Sequence, residues 1–422
     1  MKILYVSQYF PPEMGAPAAR VSELSRHWVR AGHDVTVLTG FPNHPTGKLA
    51  ADYRKQFRRL VMYEEIDGVK VGRTWLLPFP NRKPYERMLN YSSFCVSAAF
   101  TGLFLSRPDV VIASSPQLLV GVSGWWLARL KRAPFVFEVR DLWPESLVAV
   151  GLGDRTSLLY RSLARIAESL YRRSDRIVVV TPAFKDYLVK RMNVVAGKIF
   201  IVQNGVETDV FDPGRAQLNL KDKLGLEGKF VVSYIGTMGM AHGLDNVLDA
   251  ATELQRSHPQ IAFLFVGEGS DKERIISIAT SRKLDNVRFV DEQARGRIPD
   301  YIHASDACLV LLKTSEIFKT VIPTKMLEFM SCARPVILGV DGQARKIIEE
   351  AHAGIFIRPE NVSDLTEAVV RLASDPELRD SLGRNGRQHI LQHFSRAQTA
   401  RTYIQVLETL LEKETSPTSI AA

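Results

Sequence analysis

The chain has 422 residues, 45% apolar and 24% charged, which is the composition of a soluble globular protein of about two domains. Its three cysteines, Cys95, Cys308 and Cys332, show no metal-ligand spacing, which excludes a disulfide framework or a zinc site and suits a reducing cytoplasm. The net charge of +9 is uneven: residues 1–206 carry 29 Lys and Arg against 16 Asp and Glu, and the remainder 26 against 30. No RNP, zinc-finger or helix-turn-helix pattern accompanies that surplus, so no nucleic acid is expected, and an anionic membrane surface or phosphorylated lipid is the expected partner of the first half.

In chain order, MKILYVSQYFPPE reads as a first strand and not as a signal peptide. Strands KILYVS, DVTVLT, VKVGRT, DVVIAS, FVFEV, RIVVVT and IFIVQ alternate with helices predicted over 18–31, 85–105, 119–131, 157–173 and 183–191. The polar, turn-rich stretch NGVETDVFDPG marks a domain junction near Gly205. The alternation then restarts with FVVSYIG, IAFLFVG, VRFV, ACLVLL, PVILG and GIFIR, and helices beginning near Leu244, Asp271, Ile298, Lys325, Ala344 and Val362. This pattern predicts an α/β protein of two doubly wound domains, 1–205 and 206–394, followed by a helix over 395–413 and a flexible tail over 414–422.

Two stretches bear on a membrane. Residues 88–106 hold no charge but contain Asn90, Tyr91, Ser92, Ser93, Ser97, Thr101 and Ser106, too polar for a span. With Arg82, Lys83 and Arg87 before it and Arg107 after, this helix is expected to lay an apolar face and a basic flank on a bilayer. In WWLARLKR, Trp125 and Trp126 precede a basic end in the manner of an interfacial segment; packing of the helix on its sheet accounts for them equally well.

Ligands of doubly wound sheets bind at the carboxyl ends of strands. The loop after the first strand, FPPEMGAPAARVSEL, places Gly15 just before a helix start, where backbone can approach an anion, and it lacks the GxGxxG of a dinucleotide site. YIGTMGMAHGLDNVLDA and FVGEGSD, with Gly267, are glycine-punctuated turns of the same kind. In PTKMLEFMSCARPVI, Pro323 fits the first turn of a helix, Thr324 and Lys325 lie at its amide end, and Glu328 follows one turn on. A diphosphate there would meet free amides and the Lys325 ammonium, while the Glu328 carboxylate is suited to a ribose diol. A surface Lys-Glu pair that merely stabilises the helix is the competing account.

Taken in order with VRFVDEQARGRIPDYIHASDACLVLL, FEVRDLWPESL and VQNGVETDVF, these motifs resemble glycosyltransferase family 4, enzymes of the GT-B fold with two Rossmann-like domains facing a central cleft. RDLWPES and PTKMLEFM look like the bacterial O-antigen and capsule branch, including N-acetyl-L-fucosamine-type transferases. The resemblance puts Glu328 on the second glutamate of the family's E-x7-E motif, which binds the ribose. The first glutamate falls on Thr320, with Glu316 out of register. The arginine and lysine that neutralise the leaving diphosphate fall on Thr237 and His242, so Lys325 becomes the main cation. The family's histidine near the reacting sugar aligns with Arg140, followed by Asp141, an Arg-Asp pair suited to a sugar hydroxyl or acceptor phosphate.

The resemblance implies a retaining transferase moving a sugar, an N-acetylated deoxy- or aminohexose, from a UDP-sugar to a polyprenyl-diphosphate-linked saccharide at the inner face of the cytoplasmic membrane, in surface polysaccharide synthesis. No Asp-x-Asp occurs, so no metal is expected, and the nucleotide-sugar is a substrate and not a cofactor. A sugar-nucleotide epimerase of the same architecture and a non-catalytic nucleotide-binding assembly partner are the alternatives.

Overall fold

The computed structural model describes residues 1–44, 47–79, 84–149, 154–215 and 220–415. Two compact units emerge: Met1–Gln203 with Ala397–Ala422, and Asn204–Arg396.

In the first unit, eight strands, β1 (Lys2–Val6), β2 (Asp34–Gly40), β3 (Val61–Ile66), β4 (Val69–Thr74), β5 (Val110–Ser114), β6 (Phe135–Val139), β7 (Arg176–Val179) and β8 (Ile199–Ile201), form one sheet in the order β3-β4-β2-β1-β5-β6-β7-β8. All pairings are parallel except β3 with β4. Burial on both faces explains the unbroken apolar runs of β5 and β6, every residue of which is buried. The helix Ala16–Arg30 packs on one face through Val21, Leu24 and Trp28, beside Ala400, Tyr403 and Leu407 of the helix Arg396–Thr415. Trp28 stacks on Tyr5, meets Tyr403 edge-on and donates its indole N–H to the Ala400 carbonyl at 3.1 Å. At the sheet centre the fully buried Arg20 and Glu138 pair at 2.9 Å, and Tyr5 also donates to Glu138. Removing one partner of such a pair leaves an uncompensated buried charge, which is strongly destabilising.

The second unit holds β9 (Phe230–Ile235), β10 (Ile261–Val266), β11 (Val287–Val290), β12 (Ala307–Leu311), β13 (Val336–Gly339) and β14 (Gly354–Phe356), in the order β11-β10-β9-β12-β13-β14 and parallel throughout. Two apolar layers cover its faces, one built on Leu327, Met330 and Ile390, the other on Leu248, Phe263 and Leu365.

The sequence expectation lacked β3 and the helix Pro376–His393. It also put Pro323 inside the first helical turn, whereas Pro323 is the N-cap and Thr324 the first helical residue. Each sheet has a switch point from which the chain winds in opposite directions, between β1 and β5 and between β9 and β12. Those switch points are where an open α/β sheet receives a ligand.

Candidate active site

At the β9/β12 switch point the backbone is set by glycines. Gly236 and Gly267 sit at φ 134° and 142°, and a Cβ on Gly267 would lie 2.2 Å from the Gly236 carbonyl oxygen, so only glycine fits there. The loops after β9 and β10 are bonded together through Gly236 N–H to Val266, Met238 N–H to Glu268 and Asp271 N–H to Met238, at 2.8–3.0 Å. Thr237 is exposed, and its carbonyl accepts the Tyr234 hydroxyl at 2.6 Å. That bond fixes the Tyr234 ring as a floor beneath the loop.

Lys325 is the second residue of the helix Thr324–Ser331. Its stem is partly exposed, but its ammonium is buried, 3.8 Å from the centre of the Tyr234 ring, and has no hydrogen-bond acceptor among the described residues. The ring face compensates part of the lost hydration. Burial nonetheless pushes the Lys325 pKa down to about 7, with Glu328 opposing the shift. Beside it the amides of Thr324 and Lys325 lack intrahelical acceptors, as the first amides of any helix do. The cluster is rich in donors, and its chemistry suits an anion.

Glu328 is 7% exposed, and Lys325 is not its partner. Its Oε1 accepts from Arg295 at 2.8 Å, and the Arg295 guanidinium lies over the Phe211 ring at 5.0 Å. A surface helix-stabilising pair is therefore not what these two residues form. Arg295 was missed in the sequence because 33 positions separate it from Glu328. Tyr234 was missed because an aromatic in a buried strand reads as core.

His242 lies beside the same ring, 5.7 Å from Tyr234, with Nδ1 3.1 Å from the Leu311 carbonyl. A carbonyl only accepts, so Nδ1 carries the proton and Nε2 is left an acceptor. Burial, helped by the Lys325 charge, holds the pKa at about 3. Placed thus, His242 is neutral, with its N–H turned to the Leu311 carbonyl. Thr320 ends a short turn, its hydroxyl donating to the Ile317 carbonyl at 2.6 Å. Glu316 is 88% exposed and paired with Lys319.

In the first unit the β1/β5 switch point gathers Gly15, at φ 111°, and Arg140. The Arg140 amide donates to the Ser115 hydroxyl, and its guanidinium donates to the carbonyls of Ala16 and Pro17 at 3.0 and 3.3 Å. Arg140 is turned onto the first turn of the helix Ala16–Arg30, and its charge favours ionisation of the neighbouring Asp141. Asp141 is nonetheless pushed up to about 6, chiefly by burial. A carboxyl that sequence reasoning passed over, Glu13, lies in the same loop, 7% exposed. Its Oε1 accepts the amides of Asn43 and His44, both at 2.9 Å, while its buried Oε2 has no partner among the described residues, and burial raises its pKa to about 7. Arg87 is half-buried, Trp125 lies under the Arg173 guanidinium at 4.3 Å, and Trp126 is exposed; Arg82 and Lys83 fall outside the described residues.

Among the described residues no helix is long and apolar enough to cross a membrane. The sequence matches a Glycosyl transferase 4-like domain over residues 15–205 and a Glycosyl transferases group 1 domain over 217–389, leaving unmatched only 1–14, 206–216 and 390–422. A putative colanic acid biosynthesis glycosyl transferase, WcaI of Escherichia coli K12, is 25% identical over 87% of this chain and 91% of its own length. Sucrose-phosphate synthase from Thermosynechococcus elongatus superposes with a TM-score of 0.77 at 18% identity, covering 98% of this chain and 99% of that one. Anabaena HepE, solved in complex with UDP and glucose, superposes at 0.72 and 17% identity over 97% of this chain and all of its own. The superpositions show the GT-B fold, and the two domain matches, which together span both units, place the chain among the group 1 glycosyltransferases.

Proposed function

We propose that this glycosyltransferase takes a sugar from a UDP-linked donor and adds it, with retention of configuration, to a lipid-diphosphate-linked saccharide in the synthesis of a surface polysaccharide. The observation that carries the donor half is the buried Lys325 ammonium, without a hydrogen-bond partner among the described residues, beside the first amides of the helix Thr324–Ser331. An uncompensated buried cation is costly in the free protein and is answered by an anionic ligand. HepE, of the same fold, is a UDP-binding protein, and the relationship to WcaI favours an exopolysaccharide product. The donor sugar in this reading is an N-acetylated deoxy- or aminohexose, following the likeness of RDLWPES and PTKMLEFM to the fucosamine-type branch.

The second unit binds the donor, with Glu328, held by Arg295, accepting from the ribose hydroxyls. As the bond from the anomeric carbon to the diphosphate oxygen breaks, its electron pair goes to the phosphate, where the amides and the protonated Lys325 stabilise the growing charge. The acceptor hydroxyl attacks from the same face and gives its proton to the departing phosphate oxygen. Arg140 and Asp141, at the switch point of the first unit, contact the acceptor. No divalent cation takes part in this reading, and abolition of transfer by EDTA overturns that point. The reading as a whole is tested by calorimetry of UDP and GDP with the wild type and Glu328→Ala. UDP binding that collapses in the variant supports it; no nucleotide binding, or binding indifferent to Glu328, refutes it.

A further inference from the structure

The helix Pro84–Leu103 is built inside out. Its polar side chains point into the fold: Asn90 donates to the Leu77 carbonyl at 2.6 Å, the Ser93 hydroxyl accepts the Leu77 amide at 2.8 Å, Ser97 donates to the Trp75 carbonyl, and Thr101 bonds Thr74 at 2.8 Å. The polar residues that make the segment too hydrophilic for a membrane span are thus used internally. What remains outside, at helical spacing, is Tyr85, Leu89, Ser92, Val96, Phe100 and Leu103, a stripe with no charge on it. A surface helix ordinarily carries its charges on that face.

The stripe is continued by Phe104, and Phe100 and Phe104 meet ring to ring at 5.3 Å while 63% and 73% exposed. It is widened by the neighbouring helix Leu119–Lys131, which exposes Trp126 and Leu130 and crosses close enough that a Cβ on Gly102 would strike Leu127. A contiguous apolar face of this extent needs a cover.

Beside it, at the amino end of β6, lies an open groove of about 550 Å³ lined by Trp125, Arg129, Arg132, Arg173 and Asp175. The three guanidiniums are exposed and form no ion pair among the described residues, while Asp175 is tied to the Phe135 amide at 2.7 Å. From Pro84 to Pro134 the charged residues are Arg87, Arg107, Arg129, Lys131 and Arg132 against Glu86 and Asp109. Two copies meeting through this face would oppose basic rims, whereas an anionic surface would complement them. Apolar aromatics with arginines at their edge are the composition of an interfacial contact.

We infer that the outer face of the Pro84–Leu103 helix and the arginine groove beside it form a docking surface for an anionic lipid bilayer, with a lipid phosphate seated between Arg129, Arg132 and Arg173. The helix, about 30 Å long at 1.5 Å per residue, runs from the carboxyl edge of the sheet to its amino edge, so the bilayer lies along the flank of the unit. A lipid-borne acceptor is thereby delivered beside the switch-point loops while the groove holds the far end down. This inference deepens the reading of a lipid-linked acceptor and rests on it for its purpose, but it is tested without donor or acceptor.

The test is flotation of the full chain with phosphatidylcholine vesicles prepared with and without phosphatidylglycerol, at low and high salt, with UDP binding measured on the same samples. Binding to the anionic vesicles, weakened by salt, is expected. Phe100→Ser/Phe104→Ser and Arg129→Ala/Arg132→Ala/Arg173→Ala should each lower partitioning at least about tenfold while melting temperature and UDP binding stay at wild-type values. Absence of wild-type flotation, or flotation on neutral vesicles that ignores the arginine variant, overturns the inference. So does a wild-type dimer in sedimentation that Phe100→Ser converts to monomer, since a second copy would then be the cover. Retained vesicle binding without UDP binding would sink the donor reading alone.

Discussion

Lys325 and Glu328 stand one turn apart on the same helix, yet the lysine faces the Tyr234 ring and the glutamate faces Arg295. In the proposed reading each end of a nucleoside diphosphate has its own partner, a cation for the phosphates and an acceptor for the ribose. Because burial holds Lys325 near a pKa of about 7, the free protein at pH 8 carries mostly the neutral amine. A diphosphate arriving beside it favours the ammonium and raises that pKa. Calorimetry of UDP binding at pH 8 should therefore show uptake of up to about one proton, read from the dependence of enthalpy on the buffer's ionisation heat. At pH 6 the amine is already charged and the uptake should vanish. Lys325→Met should bind UDP without uptake at either pH; uptake that persists in that variant would assign the proton elsewhere.

The Arg295–Glu328 contact at 2.8 Å gives a second expectation. Arg295 holds a nearly buried carboxylate in place, so its removal both frees the Glu328 side chain and leaves its charge less compensated. Arg295→Ala should weaken UDP binding about tenfold, or about 1.4 kcal/mol, and Glu328→Ala at least as much. The double variant should be no worse than Glu328→Ala, because the arginine acts through the glutamate. Additive losses would give Arg295 a ligand contact of its own.

Gly236 connects the sheet to Lys325. A methyl at that position would lie 3.3 Å from the lysine Nζ, on a backbone at φ 134°. Gly236→Ala should cost about 1–3 kcal/mol of stability from the strained φ and also displace the ammonium, so UDP affinity should fall in a protein that still folds. Gly267→Ala is the harsher change, since its Cβ would strike backbone at 2.2 Å and not the tip of a flexible side chain. A thermal melt of both variants should rank Gly267→Ala the lower; the reverse order would mean that the two loops separate readily.

The six strands of the second unit were legible because parallel strands buried on both faces are unbroken apolar runs. β3 escaped because it is an antiparallel edge with Glu64 and Glu65 in its middle, Glu64 serving Arg73 of the adjoining strand. The helix Pro376–His393 escaped because Gly383 and Gly386 punctuate it. They are there for close approach: a Cβ on Gly383 would come 2.3 Å from the Ala333 carbonyl oxygen, and one on Gly386 would press on Ala353 and Met330. At the site, helix position and residue type announced Lys325 and Glu328, but their actual partners lie 91 and 33 positions back along the chain. The same distance hid Arg140's turn onto Ala16, 124 residues away. Periodicity carries local structure; it carries nothing about which distant loop a side chain meets.

Glu13 offers a test that needs no ligand. Two backbone amides at 2.9 Å stabilise its carboxylate, but burial outweighs them and raises the folded pKa from 4.5 to about 7. Below pH 4.5 the group is protonated in both folded and unfolded chains and makes no demand. Between pH 4.5 and 7 the unfolded chain releases its proton while the folded chain retains it, so stability falls as pH rises, levelling off above about 7 with a total loss of up to about 3 kcal/mol. Glu13→Gln keeps an oxygen for the amides of Asn43 and His44 and cannot ionise. Its melting temperature relative to wild type should therefore be higher at pH 8 than at pH 4.5. A difference that does not change with pH would show that the Glu13 carboxylate is as well solvated in the fold as in the unfolded chain, its buried second oxygen having found water that stabilises the charge.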